Sequence, residues 1–204
     1  MMPGAPKGDL MKKYTVLYRK EADWDGVPYA EISEGESAPG VSAKAQLLWN
    51  EDGFFVRLQA EEPAIRRKET GPLGMPCEDS CLEFFFMPEK DDRYFNFEIN
   101  PNGCPYVGFG RSRQDRVVLY RQDAKQLFGI HTQKTPDGWE AAYRVPLSFL
   151  RLFWPDFFFT GSLRANVYKC GEQTAREHYL SWNPVSSETP DFHRPADFGV
   201  MTFA

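Results

Sequence analysis

The sequence predicts an all-β protein, specifically an antiparallel, jelly-roll-like β-sandwich with one short helix. Three observations support this prediction: short segments of alternating polar and apolar residues recur, turn signals separate them, and a single segment has a helix-like pattern. The chain has 204 residues, of which 42% are hydrophobic and 15% aromatic. That length and apolar content suit one domain, spanning residues 1–204, with a sizeable core.

The first half of the chain is predicted to form strands that place apolar residues at alternate positions. Residues 50–53 have the sequence NEDG, a turn signal, so the strands on either side of them are predicted to form a hairpin. The segment 61–76 is too polar for a core and is predicted to be a long loop. The predicted strands of this half are 14–19, 41–49, 54–60, 80–87 and 94–100.

The second half continues the same pattern. The sequence PDG at 136–138 predicts a tight turn before an alternating strand. The segment 147–154 is helix-like and is ended by Pro155. The predicted strands of this half are 117–121, 130–134, 139–145, 163–168, 178–182 and 198–203.

The composition of the chain argues against two classes of partner, nucleic acid and membranes. A net charge of −5 does not favour nucleic acid, because phosphate binding usually needs a basic stripe. Three arginines cluster at Arg111, Arg113 and Arg116, and we interpret them as a solvated loop that balances nearby acids. No segment approaches the roughly 18 apolar residues that a membrane helix needs, so no membrane partner is expected. The oligomeric state is left open.

The N-terminal segment bears on localisation. Residues 1–7 contain no apolar signal core, so the chain as written is expected to be cytoplasmic. If the N-terminus has been trimmed, secretion remains an alternative. The four cysteines are expected to be reduced thiols, because four in a chain of this length do not form a disulfide scaffold.

No metal or other cofactor is expected, although two alternatives stay open. Structural calcium could bind through the carboxylates of a hairpin loop, and a transition metal could bind through histidine and cysteine side chains, but neither set has diagnostic spacing. The calcium candidates are Glu89, Asp91 and Asp92; the other candidates are His178 and His193 with Cys170 or Asp191.

The most informative strand covers residues 94–100. Its alternation directs Phe95, Phe97 and Ile99 into a core and leaves Tyr94, Asn96, Glu98 and Asn100 on the opposite face. Such rings and planar polar groups are typical of sugar-binding surfaces. The preceding strand carries Glu83 in an apolar segment, so the two strands together predict a carbohydrate-binding face on a sheet.

Other candidate residues come from the second half of the chain. Phe192 and His193 lie between two prolines, where the ring could stack on a sugar or fill a structural corner. Trp182 ends an alternating segment, and a core position is favoured over a sugar contact. The predicted carbohydrate-binding residues are Glu83, Asn96, Glu98, Asn166, Tyr168, Trp182, Phe192 and His193.

Several ordered motifs resemble those of carbohydrate-binding module family nine, in particular its stand-alone, family nine-like branch. They are LLWNEDGFFV at 47–56, DSCLEFF at 79–85, FNFEIN at 95–100, YLSW at 179–182 and PADFG at 195–199. The resemblance covers the chain from about residue 41 to its end. It implies a lectin-like β-sandwich, often attached to xylanases, that grips the end of a sugar chain between two tryptophans. The implied ligand is a xylan- or cellulose-type mono- or oligosaccharide.

The resemblance carries over to individual positions with several changes. Glu83 matches the family's binding glutamate. The position of the family's first sugar-binding tryptophan corresponds to the neighbourhood of Cys77, where this chain has no aromatic residue. The second tryptophan corresponds to Phe192, a binding arginine falls on Glu98, and a binding glutamine falls near Asn166. The resemblance therefore implies a conserved scaffold with an altered sugar clamp.

Three other functions remain open at this point. A small, xylanase-related glycoside hydrolase could use Glu83 and Glu98, because two carboxylates about 5–10 Å apart are the geometry of that reaction. A haem- or metal-binding sandwich could use His178 with Met75 or Met87. A protein-interaction domain could use the same polar face. Binding without catalysis is favoured, since no third catalytic group is evident.

Overall fold

A computed structural model describes residues 11–71, 74–119 and 122–204. None of the helices in these residues is long and apolar enough to cross a membrane. The elements are β1 (Lys13–Tyr18), β2 (Ala30–Ile32), β3 (Glu34–Glu36), β4 (Ser42–Asn50), β5 (Gly53–Glu61), β6 (Cys81–Pro88), β7 (Tyr94–Ile99), β8 (Pro105–Gly110), β9 (Arg116–Val118), α1 (Ala124–Leu127), β10 (His131–Lys134), β11 (Gly138–Pro146), α2 (Leu147–Leu150), β12 (Ser162–Cys170), β13 (Tyr179–Ser181) and β14 (Gly199–Phe203).

The strands form a curled sheet whose two halves face each other as a front layer and a back layer. The front layer has the order β14-β12-β6-β7-β8-β9, with β13 beside the end of β12 and β3 beside β13. The back layer has the order β4-β5-β11-β10, with β2 beside β4. Strand β1 joins the layers, because its first residues pair with β14 and its last two pair with β4.

The predicted β-sandwich is correct, but two details of the prediction are wrong. The sheet is mixed and not strictly antiparallel, because both pairings of β1 are parallel. A single strand that crosses from one layer to the other can close the sandwich in this way, and no local pattern reveals it. The described residues contain two short helices where one was predicted, and α2 ends at Leu150.

Three strands were not predicted from the sequence. Strands β2 and β3 have three residues each, too few to show alternation. Strand β8 has the sequence PYVGFG, whose proline and glycines disfavour a strand locally. It forms because β7 and β9 pair with it on both sides. Of the predicted strand 117–121, residues 120 and 121 lie outside the described residues.

The main core lies between the two layers and is rich in aromatic rings. Phe54 of the back layer packs edge-on against Phe84 of the front layer, with ring centroids 6.2 Å apart. Phe97 stacks on Tyr143, with centroids 5.9 Å apart and an interplanar angle of 18°. These contacts confirm the predicted inward direction of the apolar residues of β7, and they place Phe84 of β6 in the same core.

The outer face of the front layer is also covered, by a segment that we name the capping segment (residues 183–198). It closes a second apolar cluster formed by Cys81, Phe85, Tyr94, Tyr168, Cys170, Phe192 and Phe198. Because this face is covered as well, every residue of β7 is buried. This arrangement explains why β6 is almost continuously apolar, since a strand covered on both sides loses the alternation of a surface strand.

Within the described part of the predicted loop 61–76, one charged residue is buried although the segment was predicted to be too polar for a core. Glu62 is buried, and its Oε1 accepts a hydrogen bond of 2.8 Å from the Ser80 hydroxyl. Its Oε2 lies 3.3 Å from Nζ of Lys169, which is fully buried. The carboxylate is tolerated because the buried ammonium balances its charge.

Candidate functional site

A row of four side chains crosses the outer face of the front layer. Tyr168, Glu83, Glu98 and Tyr106 are direct partners across β12, β6, β7 and β8. Their neighbours in sequence, such as Phe84 and Phe97, fill the main core, so these four project from the opposite face. Directly opposed residues have Cβ atoms about 4.5–5.5 Å apart, which brings the two carboxyls side by side.

The capping segment encloses a cavity of about 150 Å³ over this row. Its lining combines carboxyls, guanidinium groups, sulfur atoms and rings, a mixture that can contact both the polar edge and the apolar face of a ligand. The lining residues are Met75, Cys77, Glu83, Glu98, Arg113, Arg116, Cys170, Glu172, Tyr179, Pro190, Phe192 and His193.

Glu83 is the most unusual group in the cavity. It is 3% exposed, and no donor among the described residues makes a hydrogen bond to its carboxyl. Burial and the neighbouring Glu98 charge raise the pKa of Glu83 well above its ordinary value, against the opposing effects of Arg113 and Arg116. A buried carboxyl without a donor has unused capacity to accept hydrogen bonds from a ligand.

Glu98 is better supported than Glu83. Its Oε1 accepts a hydrogen bond of 2.8 Å from Nδ2 of Asn96 and lies 4.0 Å from Nη1 of Arg116. Burial nevertheless raises the pKa of Glu98 to about 7, because Arg116 and Asn96 offset only part of the desolvation. Below about pH 7 the carboxyl of Glu98 is therefore mainly protonated, and burial disfavours the charged form of Glu83 as well.

His193 lies at the wall of the cavity as a neutral imidazole. Nη1 of Arg116 lies 3.0 Å from Nε2 of His193, and Oη of Tyr94 lies 2.8 Å from Nδ1. Because a guanidinium only donates, Nε2 accepts from Arg116 and Nδ1–H donates to the Tyr94 oxygen. Burial, followed by the charges of Arg116 and Arg113, lowers the pKa of His193 to about 3.

Phe192 lines the cavity but is itself largely buried. Its ring stacks on Tyr168, with centroids 4.1 Å apart and an interplanar angle of 14°. The Tyr168 hydroxyl donates a hydrogen bond of 3.2 Å to the Phe192 carbonyl. Tyr168 therefore supports Phe192 from below, and one face of the Phe192 ring is already covered.

The remaining predicted site residues lie away from the cavity lining. Asn96 is fully buried beside Glu98, where Gly108 leaves the room that its amide needs. Asn166 donates to the Asn183 carbonyl at 2.9 Å, and its Oδ1 accepts from the backbone N–H of Asn183. Trp182 packs in the main core, edge-on to Tyr14, because its alternation directs it inward.

The candidate metal ligands have protein partners or lie apart. Asp91 accepts from Arg93 and Trp154, while Asp92 accepts from Arg111. Glu89 accepts from Ser162, and His178 is buried near Glu62, whereas His193 lies at the cavity. Across the described ranges, no group of three or more His, Cys, Asp or Glu side chains is arranged to hold a metal ion.

Sequence reasoning missed one important residue of the cavity. Arg116 was interpreted as part of a solvated arginine cluster, but its side chain is only 14% exposed and lies against Glu98 and His193. Arg111 and Arg113 fit the original interpretation, since they pair with Asp92 and Asp191. In the sequence, Arg116 differs from Arg111 and Arg113 in that it directly precedes the predicted strand 117–121.

Comparisons of the sequence and of the structure with known proteins both find carbohydrate-binding proteins. A family model described as carbohydrate-binding family 9 matches residues 14–203. A candidate carbohydrate-binding protein from Bacteroides uniformis is 24% identical, covers 95% of this chain and 100% of its own, and has a TM-score of 0.82. No curated protein matches the sequence.

Two further solved structures show the same fold at lower identity. Both are of a family 9 carbohydrate-binding module from Caldicellulosiruptor kristjanssonii, one in complex with cellotriose and one with glucose. Each is 15% identical to this chain with a TM-score of 0.67. The cellotriose complex covers 94% of this chain and 93% of its own, and the glucose complex covers 95% and 96%.

Proposed function

The chain belongs to carbohydrate-binding family 9, and from that premise we propose that it binds a saccharide, without cleaving it, in the cavity beneath the capping segment. The observation that carries the proposal is Glu83, a buried carboxyl that faces the cavity and receives no hydrogen bond from the described residues. Sugar hydroxyls are donors that can satisfy such a group without adding charge.

The cavity supports a small ligand. Its volume of about 150 Å³ is below the roughly 300–1,000 Å³ of pockets that enclose drug-sized molecules. We therefore propose a monosaccharide or the end of a chain. A xylan- or cellulose-type sugar is the specific form of this proposal, supported by the complexes of the structurally similar module with cellotriose and glucose.

The proposed contacts follow from the chemistry of the lining. Glu83 and Glu98 accept from neighbouring hydroxyls, and Arg116 donates from the side of the cavity. Phe192 and His193 supply the apolar wall against which a sugar ring packs. Asn96 acts through Glu98, and Tyr168 acts through Phe192, so both are proposed as positioning residues.

Isothermal titration calorimetry with glucose, xylose, glucosamine, cellotriose and xylotriose tests the proposal. We expect saturable heat with at least one of these sugars, and a loss of roughly tenfold or more in affinity in Glu83→Gln, which keeps the shape but weakens the acceptor. Glu31→Gln, at an exposed position of β2, is the matched control and should bind like the wild type. An absence of saturable heat across the panel would contradict the proposed function.

A second candidate function, glycoside hydrolysis, is favoured by one observation. Glu83 and Glu98 face the same cavity, and the pKa of each is raised, as a general acid requires. Release of a chromogenic leaving group from aryl glycosides, abolished in both Glu83→Gln and Glu98→Gln, would replace the binding proposal with this one. Saturable binding without turnover would exclude it.

A further inference from the structure

The cavity contains buried carboxyl groups that the surrounding cations do not fully pair with. Three carboxyls line it, those of Glu83, Glu98 and Glu172, and of these Glu172 is exposed. The two cations of the lining are Arg113 and Arg116. His193 adds no positive charge, because burial and the two arginines lower its pKa to about 3.

Neither arginine is fully available to the buried carboxyl pair. Arg113 is exposed and lies 3.4 Å from the carboxylate of Asp191. Arg116 donates to His193, lies over the ring of Tyr106 at 5.1 Å, and remains 4.0 Å from Glu98. The nearby ammonium of Lys169 is directed to the other side of the front layer, where it pairs with Glu62. Both guanidinium groups are therefore partly engaged by other partners, and neither donates a hydrogen bond to Glu83.

Glu83 is the group that this arrangement leaves without a partner. It is 3% exposed, lines the cavity, and has no hydrogen-bond donor among the described residues. The register places it directly opposite Glu98, so a single group in the cavity can contact both carboxyls. An ammonium group suits that position, because it carries three donors and the charge that the pair lacks.

We propose that this cavity selects a saccharide that carries a protonated amino group, of the hexosamine class, whose ammonium lies between Glu83 and Glu98. The inference rests on the proposed function and specifies its ligand. The ring and hydroxyls of the sugar contact the wall formed by Phe192 and His193 and the donor Arg116. The amino group distinguishes this ligand from glucose, which would leave the buried pair holding a proton in place of a cation.

Titrations with glucosamine, glucose and N-acetylglucosamine at about pH 6 test the inference, since amines of this kind are protonated below a pKa of about 8. Glucosamine should bind roughly tenfold or more tightly than glucose. N-acetylglucosamine has the same ring but an uncharged amide, and it should show no such gain. Comparable affinities for glucosamine and glucose would overturn the inference and leave saccharide binding intact.

A second readout follows the proton that the carboxyl pair holds. An ammonium favours the ionised forms of Glu83 and Glu98, so binding should release a proton to the buffer. Glucosamine titrations in two buffers with different ionisation enthalpies should therefore give different heats, whereas glucose should give nearly equal heats. Proton uptake, or no proton exchange, on glucosamine binding would contradict the proposed position of the ammonium.

Variants separate the ammonium site from the rest of the cavity. Glu98→Gln should remove most of the preference for glucosamine over glucose, and Glu31→Gln should retain it. Methylammonium chloride is the remaining control, since a small cation without a ring should compete only weakly. If methylammonium binds as well as glucosamine, the proposed ligand class is wrong. If neither a neutral sugar nor an amino sugar binds, the proposed function fails and this inference fails with it.

Discussion

At the scale of single residues, the site is defined by carboxyls that burial keeps partly protonated. Glu98 has a hydrogen bond from Asn96 and a guanidinium at 4.0 Å, yet its pKa is still raised to about 7. Glu83 has no such support, and burial together with the neighbouring Glu98 charge raises its pKa well above the ordinary value. Desolvation therefore outweighs the attraction of Arg116 at both positions. In the protein alone, the cavity therefore favours the neutral form of both carboxyls.

This balance makes stability depend on pH. A carboxyl whose pKa is raised in the folded state stabilises fully below its ordinary value of 4.5, and that contribution is lost as the pH rises through about 7. We expect Glu98→Gln to gain stability relative to the wild type as the pH rises from about 5 to 8, by on the order of 3 kcal/mol. Urea unfolding at several pH values measures the difference.

The two buried histidines do not obscure the stability difference between Glu98→Gln and the wild type. Burial lowers the pKa of His178 and of His193, so both destabilise the fold as the pH falls below about 6.5. Because both histidines are present in the two proteins, their effect largely cancels in the difference. A constant difference between Glu98→Gln and the wild type across this pH range would show that Glu98 is ionised throughout.

At the scale of elements, the site exists because the capping segment is attached firmly to the front layer. Asn166 of β12 makes this attachment: its amide accepts from the backbone N–H of Asn183 and donates to the Asn183 carbonyl. Asn183 in turn donates to the carbonyl of Asp197 at 2.8 Å. Two buried amides thus fix both ends of the segment that carries Phe192 and His193.

Asn166→Ala tests this attachment. The change leaves the backbone N–H of Asn183 and its carbonyl without their buried partners, so we expect a loss of about 2–4 kcal/mol in unfolding free energy. Thr189→Ala, at an exposed position of the same segment, should change stability by less than about 0.5 kcal/mol. Urea unfolding checks both variants. Unchanged stability in Asn166→Ala would show that these hydrogen bonds do not hold the capping segment in place.

At the scale of the whole molecule, one buried ion pair joins distant parts of the chain. Lys169 of β12 is fully buried, and its Nζ lies 3.3 Å from the carboxylate of Glu62, just after β5. The pair connects the front layer to the loop that leaves the back layer. Burial lowers the pKa of Lys169, and Glu62 counteracts that shift. Each charge is tolerated only because the other is present.

A double-mutant cycle measures that dependence. Lys169→Met should cost about 3–5 kcal/mol of unfolding free energy, because it leaves the Glu62 carboxyl buried without its cation. Combining Lys169→Met with Glu62→Gln should recover a large part of that loss, because the remaining amide carries no charge. Urea unfolding of both single variants and the double variant gives the coupling energy. Simple additivity of the two losses would exclude a dependence between the groups.

The sequence by itself determined the features that depend on neighbouring residues. The alternation in β7 predicted which of its side chains enter the core, and turn signals located the hairpin of β4 and β5. The ordered motifs indicated the family, which the match over residues 14–203 confirms. Strand alternation, the motifs and the proline-flanked segment 190–195 together selected Glu83, Glu98, Phe192 and His193, which the structure brings to one cavity. Local periodicity and motif order are sufficient to select these residues individually, because strand alternation and turn signals depend on neighbouring positions.

Only the tertiary structure decided which residues from distant parts of the chain contact each other and balance each other's charge. Arg116 and His193 meet although they are 77 positions apart in the chain. The parallel pairing of β1, the burial of Glu62 beside Lys169, and the isolation of Glu83 likewise depend on contacts between distant segments. A single sequence does not encode these contacts in any local pattern, because burial and charge balance are properties of the whole assembled surface.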